Sequence, residues 1–403
     1  MNEGWHKSDR PDEGEVTEIL TTRESRSWFQ RIGDSLRAIV IGLILFVAAI
    51  FLLGWNEGRA VKAARALEEG AAAVVAVPFD ALTLTNEGRL VHIAGMARAR
   101  EVAQDAQFGV IAEGLKLRRT VEMYQWREEK RSETVKKLGG GEETVTRYSY
   151  TREWSERPID SSRFQDASPH VNPPMPAIGS QSYYAPEPRV GVFAIGRGVV
   201  DRLEASVSAS LSGETIRAAQ QTFGPRARAQ PGLIYVGEPE TPRVGDLRLA
   251  WRFAPAQDVS VVGRQTGSAI TTYRASNGRE ILLFADGIQS PDVMFQRSID
   301  GNILLTWLLR AAGAILMFAS VRMALSLPQV LADVIPPLGA LVGAGLGLVA
   351  FAVTALAAPL VIAVAWLAYR PLLAGCLIVV AVVVAVITIR LALARKSATS
   401  TAA

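Results

Sequence analysis

The segment AAGAILMFASVRMALSLPQVLADVIPPLGALVGAGLGLVAFAVTALAAPLVIAVAWLAYRPLLAGCLIVVAVVVAVITI, residues 311–389, holds only three charged side chains, Arg322, Asp333 and Arg370. A soluble core cannot absorb a run of that length and poverty in charge, whereas a bilayer can. Near the other end lies AIVIGLILFVAAIFLLGW, Ala38–Trp55, a second apolar run of 18 residues. At ~1.5 Å rise per residue it has about the minimum length for a ~30 Å hydrocarbon core. A cleaved signal peptide is the competing reading of this run. A long polar tail precedes it, however, and Trp55-Asn56-Glu57-Gly58-Arg59 follows where a small-residue cleavage site would stand, which favours an uncleaved anchor.

The C-terminal block divides at its polar and proline positions. Ile303 to Met323, within residues 301–323, makes a second span, with Arg310 close enough to its entry to reach the interface. Asp333 and Pro336-Pro337 break the chain. Residues 337–369 are too long for one perpendicular crossing and too short for two, so a tilted or Pro359-kinked helix ending at Trp366 and Tyr369 is expected. Arg370-Pro371 gives a turn, and 372–389 forms a fourth span in which Cys376 is a small apolar residue. Four spans put both termini on one side. Basic residues in the tails 1–37 (Lys7, Arg10, Arg23, Arg26, Arg31, Arg37) and 390–403 (Arg390, Arg395, Lys396) make that side cytoplasmic. Residues 56–300 then lie outside the cytoplasm. Within the first tail, Trp28, Ile32 and Leu36 recur at helical spacing, and an interfacial helix and a plain extension of the span are both open readings.

Composition narrows the chemistry. The chain has 403 residues, with one Cys and three His, too few for a Cys/His zinc cluster, an iron–sulfur site or a disulfide framework. A net charge of +4 is too small for a nucleic-acid binder. Seven of the 43 basic residues are Lys and the rest are Arg, which with the abundant Ala suggests a GC-rich bacterial genome. The mean hydropathy of +0.19 averages two unlike regions.

Between the first two spans, Val61–Val77 continues the first helix, and strand signals then dominate. Leu117–Trp126 and Val145–Trp154 flank Leu138-Gly139-Gly140-Gly141-Glu142 and form a long hairpin. Taking Gly140 as its centre sets Trp126 opposite Trp154. Asp246–Phe253 alternates strictly, with Leu247, Leu249, Trp251 and Phe253 on one face. Val259–Val262 and Ile281–Phe284 are further strands, and Pro169–Pro188 is an irregular loop. The fold expected is a multi-pass membrane protein with four transmembrane helices and a large β-rich (α+β) extracytoplasmic domain between spans 1 and 2.

Several segments in order carry a resemblance: Asn56-Glu57-Gly58-Arg59, Asn86-Glu87-Gly88-Arg89, Glu122-Met123-Tyr124-Gln125-Trp126, Val244-Gly245-Asp246-Leu247-Arg248, Thr306-Trp307-Leu308-Leu309-Arg310 and Tyr369-Arg370-Pro371-Leu372. With these, the chain resembles the transmembrane protein 43 (LUMA) family, as a bacterial member. The resemblance runs from the first span to the last and is weak in the N-terminal tail and in residues 165–240. It implies four spans and a large luminal or extracytoplasmic domain. It also implies self-association and a role in organising membrane protein complexes. Eukaryotic members are linked to the endoplasmic reticulum and inner nuclear membrane; a bacterial member has no nuclear envelope, so its place is the cytoplasmic (inner) membrane. The family has no established catalytic residues to carry over.

Individual residues add little chemistry. The repeated Asn-Glu-Gly-Arg would make Glu57 and Glu87 paired carboxylates or an ion site; the plainer account gives turns at Gly and solvated Glu and Arg. His92, between Val91 and Ile93, reads as a partly buried structural residue, and His170 sits in the Pro-rich loop. Gly191–Gly198 lacks a phosphate-loop pattern. Arg310 and Asp333 stand near span ends on opposite sides, which argues for interfacial placement over an ion path. No catalytic, cofactor-binding or metal-ligating residue is assigned. The expected function is a non-enzymatic membrane scaffold, its partners being membrane lipids, other membrane proteins and further copies of itself, with no nucleic acid. Gly339, Gly343, Gly345 and Gly347 suit close helix packing between copies. An envelope hydrolase or lipid-modifying enzyme is the alternative and a channel or transporter the third reading.

Overall fold

A computed structural model describes residues 18–369. The expected fourth span at 372–389, with Cys376, Arg370 and the C-terminal tail, lies outside the described residues, as do residues 1–17. Three helices among the described residues are long and apolar enough to cross a membrane.

The first, α1, runs from Trp28 to Ala73 in 46 residues. It starts where it does because Ser27 and Gln30 form a reciprocal capping box: the Ser27 hydroxyl accepts from the Gln30 N–H, and the Gln30 side chain accepts from the Ser27 N–H. The stretch before the span is therefore a continuous extension of it rather than a separate interfacial helix. At ~1.5 Å per residue α1 is about 69 Å long, roughly twice a bilayer core, and its last turns enter the β-rich region. Two short helices, α2 (Arg197–Val200) and α3 (Gly213–Phe223), belong to that region. The helix α4 (Pro291–Ala324) returns along α1, a short α5 (Ser326–Ala332) turns the chain, and α6 (Pro336–Tyr369) packs on both long helices. The break at Asp333 and Pro336 is as expected. Pro359 lies inside α6, which continues through it as one helix.

Small residues set how closely these helices approach. A Cβ on Gly42 would sit 2.7 Å from the Ser320 carbonyl oxygen of α4, and one on Gly313 would run into Leu53 of α1. Gly339 and Gly343 are likewise used inside the chain, against Asp333 and Gln329, whereas Gly345 and Gly347 face open space. Only the second pair fits the expected glycine contact between copies. Elsewhere the helices present apolar surface outward, with Leu43, Phe51, Leu348 and Leu356 all well exposed, as lipid-facing side chains would be.

The β-rich region contains an eight-stranded and a seven-stranded sheet. Leu247–Pro255 sits inside the first, with Leu247, Leu249 and Trp251 buried and Arg252 exposed, as its alternation requires. Gln257–Thr266 sits inside the second, and all of Val259–Val262 is buried. Ala66 and Leu67 of α1 and Phe295 of α4 pack with Ile281 and Val262, so both long helices are rooted in the β core. The Pro-rich loop is mostly irregular, but Gln181–Tyr184 within it pairs with Lys116–Arg119.

The hairpin is longer than expected, Gly114–Lys136 against Glu142–Ser155, and its register is shifted by two residues. Tyr124 opposes Trp154 and Trp126 opposes Arg152. The turn is centred at Gly139, not Gly140, and both glycines take positive φ. Trp126 instead packs edge-on to His170 and under the Arg152 guanidinium. From Trp126 to Lys136 the two strands form a ribbon about 36 Å long, at ~3.3 Å per residue, whose base as far as Glu128 and Tyr150 packs on residues 164–172.

The tail carries a strand that the sequence reading does not anticipate. Glu18–Arg26 is a strand, and it pairs with Glu142–Tyr150 on the ribbon through nine antiparallel positions. The ribbon tip also docks on the start of α1 and on the α5–α6 turn, where the Gly139 N–H donates to the Val334 carbonyl at 3.1 Å. From Arg31 to Glu57, α1 covers about 39 Å, close to the ribbon's own length. The ribbon tip and residues 18–26 therefore lie together at the end of α1 remote from Glu57.

Candidate functional site

Two buried polar clusters close the ends of the helical bundle, and each is built from charges that look isolated in the sequence. At the domain end, α1 brings Asn56-Glu57-Gly58-Arg59 against α4 and α6. Glu57 is buried, and its carboxylate accepts from Arg310 Nε at 2.7 Å, from another nitrogen of the same guanidinium at 2.8 Å, and from Trp366 Nε1 at 2.8 Å. This bidentate pair joins α1 to α4, and the indole adds α6. The Arg310 guanidinium also lies over the Trp307 ring, 4.8 Å from its centroid. Arg59 donates to Asn56 of its own helix and to Asn302 and Thr306 of α4. Gly58 is where α6 approaches, since a Cβ there would sit 2.6 Å from the Tyr369 ring.

At the other end the central group is Asp333, fully buried. Its two oxygens accept from Arg31 of α1 and from Lys136 of the ribbon, the latter at 2.7 Å. Arg31 further bonds the Gly140 carbonyl at 2.6 Å and pairs with Glu142 at 2.7 Å. Trp28 donates its indole N–H to the Val330 carbonyl at 2.9 Å. Gly140, with φ of 81°, lies so close to the Trp28 ring that no side chain fits there. Thus tail, ribbon and the α5–α6 turn are tied together by one carboxylate.

The plainer account of the Asn-Glu-Gly-Arg repeat holds for one copy and fails for the other. Glu87 is exposed, accepts from the Gly267 N–H at 2.9 Å, and precedes a turn at Gly88, φ 75°. Glu57 is a buried ion-pair partner, and the two glutamates belong to different neighbourhoods. Arg310 and Asp333 stand at opposite ends of the bundle, and each is paired with a buried partner, Glu57 and Arg31 respectively.

His92 and His170 are both held by packing and hydrogen bonds. His92 is buried, and its Nε2–H donates to the Gln289 carbonyl at 2.9 Å; burial pulls its pKa below the ordinary imidazole value despite that bond. His170 stacks on Tyr150 at 3.8 Å and bonds the Asp166 carbonyl. Tyr150 donates to Glu128 at 2.8 Å, and desolvation, helped by that carboxylate, pushes its hydroxyl up to about 12. In the domain core Asp105 accepts from both Arg119 and Trp251, at 2.9 Å each. Among the described residues no three His, Cys, Asp or Glu side chains gather as a metal site would require.

These features define an integral membrane protein in which apolar helices are rooted in a large β-rich region and locked at both ends by buried charges. A sequence profile described as Transmembrane protein 43 matches residues 123–371. The chain is 32% identical over 380 residues to Transmembrane protein 43 of Mus musculus, covering 91% of this chain and 94% of that protein. The Homo sapiens protein is 33% identical over 364 residues, covering 88% and 90% respectively, and the Drosophila melanogaster homolog is 31% identical over 351 residues, covering 84% and 90%. The chain belongs to the Transmembrane protein 43 family. No solved structure matches it.

Proposed function

We propose that this protein is a non-enzymatic scaffold of the cytoplasmic membrane that associates with copies of itself and organises other membrane proteins. The ribbon carries this reading. Its strands bear Arg127, Glu128, Glu129, Lys130, Arg131 and Glu133, and they reach from the domain to the far end of an apolar bundle. Charged strand backbone at membrane depth is tolerable only against protein or water, never against acyl chains. Two edges of the three-stranded ribbon, residues 127–136 and 18–26, have no strand neighbour among the described residues. A second copy that covers these edges and excludes lipid from them accounts for both features.

In this arrangement α1, α4 and α6 cross the bilayer with 372–389 as a fourth span. The tails 1–37 and 390–403 are cytoplasmic, and the body of 56–300 is extracytoplasmic. The ribbon tip alone reaches the side of the N-terminal tail. Mass photometry of the full chain in lipid nanodiscs tests the reading: a defined oligomer is expected, and a strict monomer at every concentration would overturn it. Proteins co-purifying from native membranes then identify the partners.

A further inference from the structure

We propose that the cleft between α1, α4 and the 273–283 segment binds the phosphate headgroup of an anionic phospholipid. This rests on the reading of α1 and α4 as membrane-embedded. The cleft has a volume of about 250 Å³ and is lined by Arg59, Ala63 and Leu67 from α1, Asn302 and Leu305 from α4, and Arg279. It stands at a sharp change of surface. Leu304, Leu305, Trp307 and Leu308 of α4 are exposed and apolar, as is Trp55 of α1. One turn further toward the domain, Asn302 and Arg59 replace them. Trp and Tyr mark the headgroup level of a bilayer, so the cleft opens where phosphates lie.

The charge at this place is preorganised. Glu69 on α1 accepts from the Ser276 N–H, and Asn277 donates to the Lys62 carbonyl at 2.7 Å, which pins the loop carrying Arg279 onto α1. Arg279 and Arg59 line the same cleft, near enough for their charges to repel. The Arg279 guanidinium has no hydrogen-bond or ion-pair partner among the described residues, while Arg59 is spent on Asn56, Asn302 and Thr306 except for one N–H. The acidic groups nearby are Glu280, which lines the cleft and is exposed, and Glu57, whose carboxylate holds Arg310. Two like charges lining one cleft ask for an anion between them, and a phosphodiester with its acyl chains along Leu305 supplies one. Ala63 leaves room for it.

Native mass spectrometry of the intact detergent-solubilised protein, titrated with phosphatidylglycerol or phosphatidylcholine, tests this. The wild type is expected to retain phosphatidylglycerol preferentially, and Arg279→Gln to weaken that preference about tenfold, the worth of one charge-assisted contact. Arg279→Lys, which keeps the charge, should retain most of it, and exposed Arg217→Gln should leave it unchanged. Equal retention by wild type and Arg279→Gln would overturn the proposal. Soluble glycerophosphate should not displace the lipid; full displacement would mean a site for a free phosphate and would also overturn it. A wild-type thermal midpoint that rises with phosphatidylglycerol but not with phosphatidylcholine gives a readout free of any variant, and no difference between the two lipids would count against the site. None of these results depends on oligomeric state.

Discussion

Removing the Glu57 carboxylate should expose how much the domain-end cluster stabilises the bundle. In Glu57→Ala the Arg310 guanidinium stays inside, since its side chain is only 18% exposed against 3% for Glu57. Breaking one partner of a buried pair costs about 3–5 kcal/mol, chiefly because the other charge is left uncompensated. The residual exposure of Arg310 and its stacking on Trp307 place the cost near the lower end, about 3 kcal/mol. Glu57→Gln keeps an acceptor for the Trp366 indole and should cost less. Replacing both charges, as in Glu57→Leu with Arg310→Met, removes the desolvation penalty together with the attraction and should recover most of the loss. The assay is equilibrium unfolding in mixed micelles followed by tryptophan fluorescence, read as a double-mutant cycle. A coupling of about 2 kcal/mol is expected for a contacting charged pair. Additive effects of the two single variants, or a loss under about 1 kcal/mol for Glu57→Ala, would refute the view that this pair holds α1 to α4.

Other outcomes follow from the same contacts. Asp333→Ala leaves Arg31 and Lys136 without their shared carboxylate, so the ribbon tip should detach, and limited trypsin digestion should cut at Lys136 and Lys137 well before it does in the wild type. Gly42→Val forces side-chain atoms onto the Ser320 backbone and should destabilise by about 2 kcal/mol or more, whereas Gly345→Ala, which meets open space, should leave monomer stability unchanged. Paired cysteines at 124 and 154 should oxidise readily and those at 126 and 154 poorly; the reverse would restore the Gly140-centred register. His92 has a folded-state pKa below its unfolded value, so its contribution is complete above about pH 6.5 and is lost as pH falls through that value toward the folded pKa. His92→Gln should flatten the loss of stability in that acid window, as thermal melts at stepped pH would show.

Much of this fold is legible in the sequence because hydropathy and two-residue alternation are local signals. The runs at 38–55 and 337–369, the break at Asp333 and Pro336, and the Leu247–Trp251 face all follow from neighbours a few residues apart. Three consecutive glycines at 139–141 announce a turn without fixing its centre, and the register slipped there. What failed was nonlocal. Glu18–Arg26 is short and mixed in polarity, and its partner strand lies more than a hundred residues away, so nothing nearby marks it as a strand. Glu57 and Arg310 are separated by 253 positions. The only trace of their pairing was that each charge adjoined an apolar span with no obvious partner, and membrane-adjacent charges that lack a local partner are usually matched elsewhere. Asp333 carried the same trace, with Arg31 in the tail and Lys136 in the ribbon completing it.

The central claim is that the ribbon carries part of the inserted region to the compartment of the N-terminal tail. Single cysteines at exposed Thr21, Thr134 and Glu204, in a chain with Cys376 replaced by Ala, report it directly when sealed membranes are treated with an impermeant maleimide. Thr21 on the tail strand and Thr134 near the ribbon tip should label from the same side, and Glu204 on the domain body from the other. Labelling of Thr134 together with Glu204 while Thr21 stays protected, or labelling of all three from one side, would contradict it.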